Sequence, residues 1–235
     1  MKKLIIITGA NKGLGKALFD EFLDLKEEIV LVSISRNLSD LQKKLLSEKN
    51  EKFIFISVDL DNMHNTSELT VLDAYVKIID KVIFISNAGN IDPIGQIGQI
   101  DEQELVKSIN VNVVSPSLII NYLLNVFASK KIDIVNISSG AANKVVEGWS
   151  TYCASKAYMH MFVQSLEVQY YSNNLIKVHN INPGVIDTEM QLRIRSVKND
   201  GFIRQQEFVE LKNEGKLQDA KKVAIDIIQK TKILL

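Results

Sequence analysis

Cysteine is almost missing from this sequence: Cys153 stands alone among 235 residues. That excludes a disulfide within the chain and sets aside a cysteine-built zinc site, and it agrees with a reducing compartment. An excess of charge of either sign is missing too. Lys plus Arg and Asp plus Glu each number 28, for a formal net charge of zero, so nothing draws the chain toward nucleic acid or an anionic membrane. Long apolar runs are absent. The run from Leu4 to Ile7 stops at Thr8, too short for a secretion signal, and no segment reads as the roughly 18 apolar residues of a membrane span. We therefore expect a cytoplasmic protein with no membrane or nucleic-acid partner. His64, His160 and His179 lack metal-ligand spacing with one another or with carboxylates, so packing or surface roles and no metal are expected. Repeats, linkers and low-complexity tracts are missing, so residues 1–235 read as one domain.

What is present is an alternation. The runs Lys3 to Thr8, Glu28 to Ile34, Lys52 to Val58, Lys81 to Ser86, Lys131 to Ser138 and Ile176 to Asn182 are rich in Ile, Val and Phe, and most lack a polar face. Strands look like this when both faces of a sheet are covered. Between them lie segments with helical apolar spacing: KALFDEFLDL, SDLQKKLLSE, SELTVLDAYVKII, Asp101 to Ser129 and Ser150 to Ser172, with a last helix over Asp219 to Lys232. The alternation predicts an α/β fold, a Rossmann-type doubly wound parallel sheet of six strands with helices on both sides.

The first strand runs into TGANKGLG, with glycines at 9, 13 and 15, and a helix follows. This is not the spacing of the commonest dinucleotide fingerprint, yet its mechanics transfer. Gly9 permits the sharp turn, Gly13 lets backbone N–H groups approach a pyrophosphate, and Gly15 lets the helix pack closely. The helix N-terminus then faces the anion. The plain alternative is a tight turn with no ligand. The second strand ends in Ser35 and Arg36, where an NAD site usually carries an acidic residue for the ribose 2′-hydroxyl. With Lys12 in the loop, two cations suit a 2′-phosphate, so the expected cofactor is NADP(H). Otherwise both are solvent-facing charges.

In TYCASKAYMHMF, Tyr152 and Lys156 lie four residues apart, on one face of a helix. A cation beside a phenol favours the phenolate and lowers its pKa, so the pair reads as a tuned acid or as an ordinary Tyr and Lys on a wet face. Pro116 stands four residues after Asn112 in a long helical segment. Proline cannot bond the carbonyl of residue i−4, so a kink and a free carbonyl are expected at Asn112, where a water could bind. Asn110 is its rival.

These features in order resemble the short-chain dehydrogenase/reductase family over nearly the whole chain. The motifs are GANKGLG at 9–15, Asp59-Leu60, S-N-A-G at 86–89, Asn112, Ser139, Tyr152 with Lys156, and P-G-V-I-D-T at 183–188. Ser86 departs from the Asn more usual in the family. The runs SSGAANKVVEGWSTYCASKA and PGVIDTEMQ most resemble the branch of benzil reductases and sepiapterin reductase. The resemblance implies that Tyr152 is the proton donor to a ketone oxygen, that Lys156 lowers its pKa and holds the nicotinamide ribose, and that Ser139 (Ser138 being its rival) bonds the carbonyl oxygen. It implies a water-linked relay from Asn112 to Lys156. Gly9, Asn11, Lys12, Gly13, Leu14, Gly15, Ser35 and Arg36 would face the dinucleotide. Asp59 and Leu60 would hold adenine, Asn87, Ala88 and Gly89 would line the adenosine ribose side, and Pro183, Gly184, Val185, Ile186 and Thr188 would meet the nicotinamide. The family usually ends with one more strand, often part of an oligomer interface. Here Ile233 to Leu235 is either its remnant or the end of a short form, which leaves a homo-oligomer, dimer or tetramer, open.

The segment from Asp187 to Gly215 is long for a connection and carries Met190, Leu192, Ile194, Phe202, Phe208 and Leu211. It reads as a substrate lid of two short helices, with Trp149 as a flat pocket wall beside Met190 or, on the plainer reading, as a packing residue. Arg193, Arg195 and Arg204 read as a solvated lid face, and Cys153 as a small buried residue. The expected activity is NADPH-dependent reduction of a small ketone or diketone. An NAD-dependent alcohol dehydrogenase of the same fold and a non-catalytic NADP(H)-binding redox sensor are the alternatives.

Overall fold

Strand runs without a polar face must be covered on both sides, and the computed structural model shows how. It describes residues 1–172, 174–197 and 202–234. The strands β1 (Lys3–Thr8), β2 (Ile29–Ser35), β3 (Phe53–Ser57), β4 (Lys81–Ser86), β5 (Lys131–Ile137) and β6 (Ile176–Ile181) form one sheet in the order β3-β2-β1-β4-β5-β6. Every pairing is parallel. Side chains alternate across each strand. Leu4, Ile6, Val82 and Phe84 therefore face one core with Ile119, Leu123, Met159 and Val163. Ile5, Ile7, Ile83 and Ile85 face a second core with Leu18, Phe22, Val223 and Ile227. The first core is closed by α4 (Ser115–Val126) and α5 (Ser150–Gln169), the second by α1 (Gly13–Leu23) and α8 (Ala220–Thr231). The chain reverses its winding between β1 and β4, which opens a crevice beyond the carboxyl ends of these strands, the place where such sheets bind ligands.

Two segments depart from regular helix. Residues Ser67–Tyr75 wind as a tight 3₁₀ helix rather than the longer α-helix the spacing predicts. The stretch expected as one long helix is α3 (Glu102–Ile109), a wider π turn over Asn110–Val114, and α4. The π turn lies immediately before Pro116, which sits in the first turn of α4. A missing N–H is accommodated by widening the helix, as the expected kink requires. By length and composition alone, Glu102–Val126 is apolar enough to cross a membrane. In the fold, Ile119, Ile120 and Leu123 are at most 1 % exposed against the sheet, which makes α4 a core helix.

The polypeptide ends differently from one expectation. Ile233 does not begin a strand. Lys232 turns into the left-handed region (φ 49°), Ile233 is fully buried, and its carbonyl accepts from Lys81 Nζ at 2.7 Å. Leu235 lies outside the described residues, and six strands are present among those described.

Candidate active site

The glycine loop leaves β1 at Gly9, whose N–H donates to Ile34 O (2.9 Å) and whose φ is +66°. Gly13 also needs a positive φ, +55°. Gly15 is required for a different reason: a Cβ there would collide with the Gly9 carbonyl and the Asn87 amide. Two residues not foreseen as loop partners hold this cradle. Gln42, fully buried, donates from Nε2 to Ala10 O (3.0 Å) while closing the capping box of α2 (Asp40–Ser47) with Ser39. Ser39-x-x-Gln42 is legible as a cap. Its reach to the loop is not. Thr8 Oγ1 accepts from the N–H groups of Asn87 and Ala88, each at 3.0 Å, and so ties the turn after β4 to the end of β1.

Asn87, expected to line a ribose, spends its side-chain amide on Thr8 O (2.9 Å) and Gly9 O (3.4 Å). Its side chain braces the turn, and only the backbone of 87–89 faces the crevice with Gly89. Ser35 is likewise turned inward, its hydroxyl donating to Asn37 O at 2.7 Å. Arg36 is exposed, 4.0 Å from the Asp59 carboxylate. Leu60 is buried in the first core. Asn11 and Leu14 sit in the loop and the first turn of α1, Leu14 within the second core.

Beyond β5 and along α5 the polar residues converge. A Cβ added to Gly89 would lie 3.6 Å from Asn112 Oδ1, 3.7 Å from Lys156 Nζ and 3.9 Å from Met190 Cε, so these four meet around one space. Asn112 clamps Asn90 from both ends of its amide: Nδ2 donates to Asn90 O and Oδ1 accepts from Asn90 N, each at 2.7 Å. Its rival Asn110 points elsewhere, to Asp61 O at 2.8 Å. Between the two serines, Ser139 Oγ accepts from Ala141 N (3.2 Å) and is the one near enough to the Tyr152 phenol to lower its pKa. The Ser138 hydroxyl is buried without a protein partner.

The tuning of the Tyr–Lys pair reverses the expectation. The Lys156 ammonium donates to Ile137 O (2.9 Å) and lies 5.7 Å over the centre of the Tyr152 ring, not at its hydroxyl. Burial dominates and pushes the phenol up to about 12, while Ser139 pulls it down. Burial also pulls the Lys156 ammonium down to about 8. Desolvation penalises each charged form, and helical spacing carries no information about it. The site therefore keeps its phenol protonated at neutral pH.

The segment after β6 is set by Gln218, another residue absent from the sequence reading. Its Nε2 donates to Pro183 O (3.1 Å), its N–H to Val185 O (2.9 Å), and its carbonyl accepts from Asp187 N (3.0 Å). A side chain at Gly184 (φ +76°) would strike the Gln218 amide. Thr188 then abuts Gly13, 3.4 Å from its Cβ position. The expected two short helices follow, α6 (Glu189–Ser196) and α7 (Gln205–Asn213). Residues 198–201 of this segment lie outside the described residues. Phe202 and Phe208 stack on Trp149 with centroids 5.6 and 5.3 Å away, and Tyr152 meets Trp149 edge-on at 5.7 Å. Ile194, Phe202 and Phe208 are buried in this third cluster, while Leu192 is exposed. Trp149 is thus walled by the segment itself. Arg193 pairs with Asp92 (2.9 Å) and Arg204 with Glu207 (2.6 Å), both largely exposed. Cys153 is half-buried rather than buried. His160 is partly buried and meets Asn180 Nδ2 at 2.6 Å, a packing role.

Comparison with known proteins finds relatives of both the sequence and the fold. A family model described as short chain dehydrogenase matches residues 3–199. The chain is 31 % identical to a benzil reductase ((S)-benzoin forming) of Bacillus cereus, covering 94 % of this chain and 91 % of that one. It is 28 % identical to the sepiapterin reductase of Bos taurus, over 94 % and 86 % of the two chains. The crystal structure of the KRED1-Pglu enzyme superposes with a TM-score of 0.82 at 26 % identity, covering 95 % and 92 %.

Proposed function

The chain belongs to the short-chain dehydrogenase/reductase family and is an oxidoreductase, and from that premise we propose that it reduces an aromatic ketone or diketone to an alcohol with NADPH. The observation that carries this reading is the buried Tyr152 phenol with Lys156 over its ring and Ser139 beside it. When bound, the nicotinamide supplies a hydride. Gly9, Gly13 and Gly15 fit its dinucleotide, because Gly9 and Gly13 take the positive φ of a tight turn ahead of the α1 N-terminus and Gly15 keeps helix and loop in contact. The Gly89 face, open toward Lys156 and Asn112, fits the ribose. Arg36 and Lys12 would take a 2′-phosphate.

In this reading Tyr152 Oη gives its proton to the substrate oxygen. Ser139 Oγ donates to that same oxygen, a donor placed before charge develops. The Lys156 ammonium offsets the charge left on the phenolate, and the Asn112 carbonyl that Pro116 cannot reach serves the water-linked relay that restores the proton. Trp149 is taken up in packing under Phe202 and Phe208, while Met190 beside Gly89 gives the site an apolar side that favours a bulky apolar substrate, in line with the benzil reductase named among the relatives.

A phenol pushed up to about 12 carries its proton throughout the neutral range, so the proton for reduction is present while the phenolate that alcohol oxidation needs is scarce. We expect kcat/KM for carbonyl reduction to be level from about pH 6 to 7. It should decline as the pH rises past about 8, where Lys156 loses its charge, while alcohol oxidation climbs over the same range. Initial rates in both directions check this, and a reduction rate that climbs with pH contradicts it.

The test of the whole reading is NADPH consumption with a panel of aromatic diketones, ketones, quinones and pterins, run beside Arg36→Asp. Losing a charge-assisted phosphate contact costs about 1.5–3 kcal/mol, so the NADPH/NADH ratio of kcat/KM should fall by roughly 10–100-fold. An unchanged ratio removes Arg36 from the phosphate site.

A further inference from the structure

Lys12 and Glu189 stand 177 residues apart in sequence, yet their side chains form an ion pair. Lys12 immediately precedes α1, on extended backbone (φ −153°, ψ 168°), and Glu189 is the first residue of α6. Next to the pair, Gly13 and Thr188 lie so close that a Cβ on Gly13 would meet Thr188 at 3.4 Å. The pair thus links the glycine loop to the run after β6 at the surface, 61 % and 67 % exposed. Both phosphate-seeking cations have a carboxylate neighbour, but unequally. Arg36 is 4.0 Å from Asp59, at the limit of an ion pair, whereas Lys12 is in full contact with Glu189.

We propose that Glu189 is a specificity-determining residue that competes with the cofactor's 2′-phosphate for Lys12. The inference rests on the reading of Lys12 as a phosphate ligand. The carboxylate holds the ammonium until the phosphate takes it and reclaims it when the oxidised cofactor leaves. Glu189 therefore weakens binding of the phosphorylated dinucleotide and speeds its release. A dinucleotide with a free 2′-hydroxyl brings its pyrophosphate to the loop but no 2′-charge to compete for Lys12, so it should respond far less to Glu189. Because Glu189 opens α6, the same exchange frees the first turn of the segment that covers Trp149 whenever the cofactor is seated. No other partner of Lys12 is needed: the glycine loop supplies no carboxylate, and Thr188, packed against Gly13, is neutral.

The experiment measures Kd for NADPH and NADH, without carbonyl substrate, on wild type, Glu189→Gln, Lys12→Met and the double variant. An exposed pair is worth about 0.2–1 kcal/mol. Glu189→Gln should therefore tighten NADPH by roughly 1.5–5-fold at low salt, move NADH far less, slow NADP⁺ release in stopped flow, and lose its effect as salt screens the pair. In the Lys12→Met background the same substitution should do nothing. If Lys12→Met weakens NADPH but Glu189→Gln leaves its Kd unchanged, the competition is wrong and the cofactor reading stands. An equal gain from Glu189→Gln with and without Lys12 makes it a general field effect and overturns the proposal. If Lys12→Met leaves NADPH binding untouched, both the competition and the placement of Lys12 at the phosphate fall.

Discussion

Replacing Tyr152 by Phe should lower kcat by about 10²–10⁴-fold, the usual worth of a positioned general acid, and leave the NADPH Kd and the fold in place. The substitution removes one hydroxyl from a buried ring. The ring keeps its edge contact with Trp149 and its place under Lys156, so the wall of the pocket survives. Ser139 is not orphaned, because its Oγ accepts from Ala141 N at 3.2 Å. The loss thus falls on the step that needs a proton rather than on assembly of the site. Steady-state rates with the best carbonyl substrate, a direct cofactor titration and a melting curve separate these. Activity near wild type with weakened cofactor binding would move Tyr152 from proton donor to cofactor anchor.

The second large effect lies at the other end of the sheet. Asp133→Ala should destabilise the fold by about 3–5 kcal/mol, because it strands a buried ammonium. Lys81 and Asp133 are neighbours on β4 and β5, their side chains each 4 % exposed and 2.9 Å apart. Lys81 also donates to Ile233 O at 2.7 Å, so the pair anchors the end of the chain after α8. In a domain of this size each 1 kcal/mol moves Tm by about 2–4 °C, which predicts a fall of roughly 6–20 °C. Replacing both charges, Lys81→Met with Asp133→Leu, should recover much of that loss, since an apolar pair needs no partner. Thermal unfolding of the three variants decides it. A single and a double variant that melt alike would mean that the stranded charge is not the cause. The candidate active-site residues lie at the carboxyl ends of the strands, so kcat of Asp133→Ala below its melting range should stay near wild type.

Expectation and structure part at particular residues. The helix break near Asn112 could be read from Pro116, because a missing N–H is a covalent property and the i−4 carbonyl is always the one deprived. Which asparagine turns toward the crevice is a matter of geometry: Asn112 clamps Asn90, and Asn110 bonds Asp61. The direction of the Tyr152 shift could not be read. Four-residue spacing puts Lys156 one turn away, but whether its charge reaches the phenol oxygen depends on what else competes for the ammonium. Here the Ile137 carbonyl does. The bracing task of the Asn87 side chain was equally hidden, since Thr8 and Gly9 come within reach of its amide only when β1 and β4 lie side by side.

The sequence by itself determined the six strands, their parallel layering, the glycine loop and the placing of Ser139, Tyr152, Lys156 and Asn112 in one motif order. Those rest on local periodicity, on covalent limits at Gly and Pro, and on an arrangement that runs along the chain. Only the tertiary structure decided which groups brace the site. Gln42 on Ala10, Gln218 behind Gly184 and Glu189 on Lys12 join positions 32 to 177 residues apart. It also decided the protonation of the Tyr–Lys pair. Burial sets the cost of a charge, and much of the burial around Tyr152 comes from the cluster with Phe202 and Phe208, about 50 residues away in sequence and so invisible to local spacing.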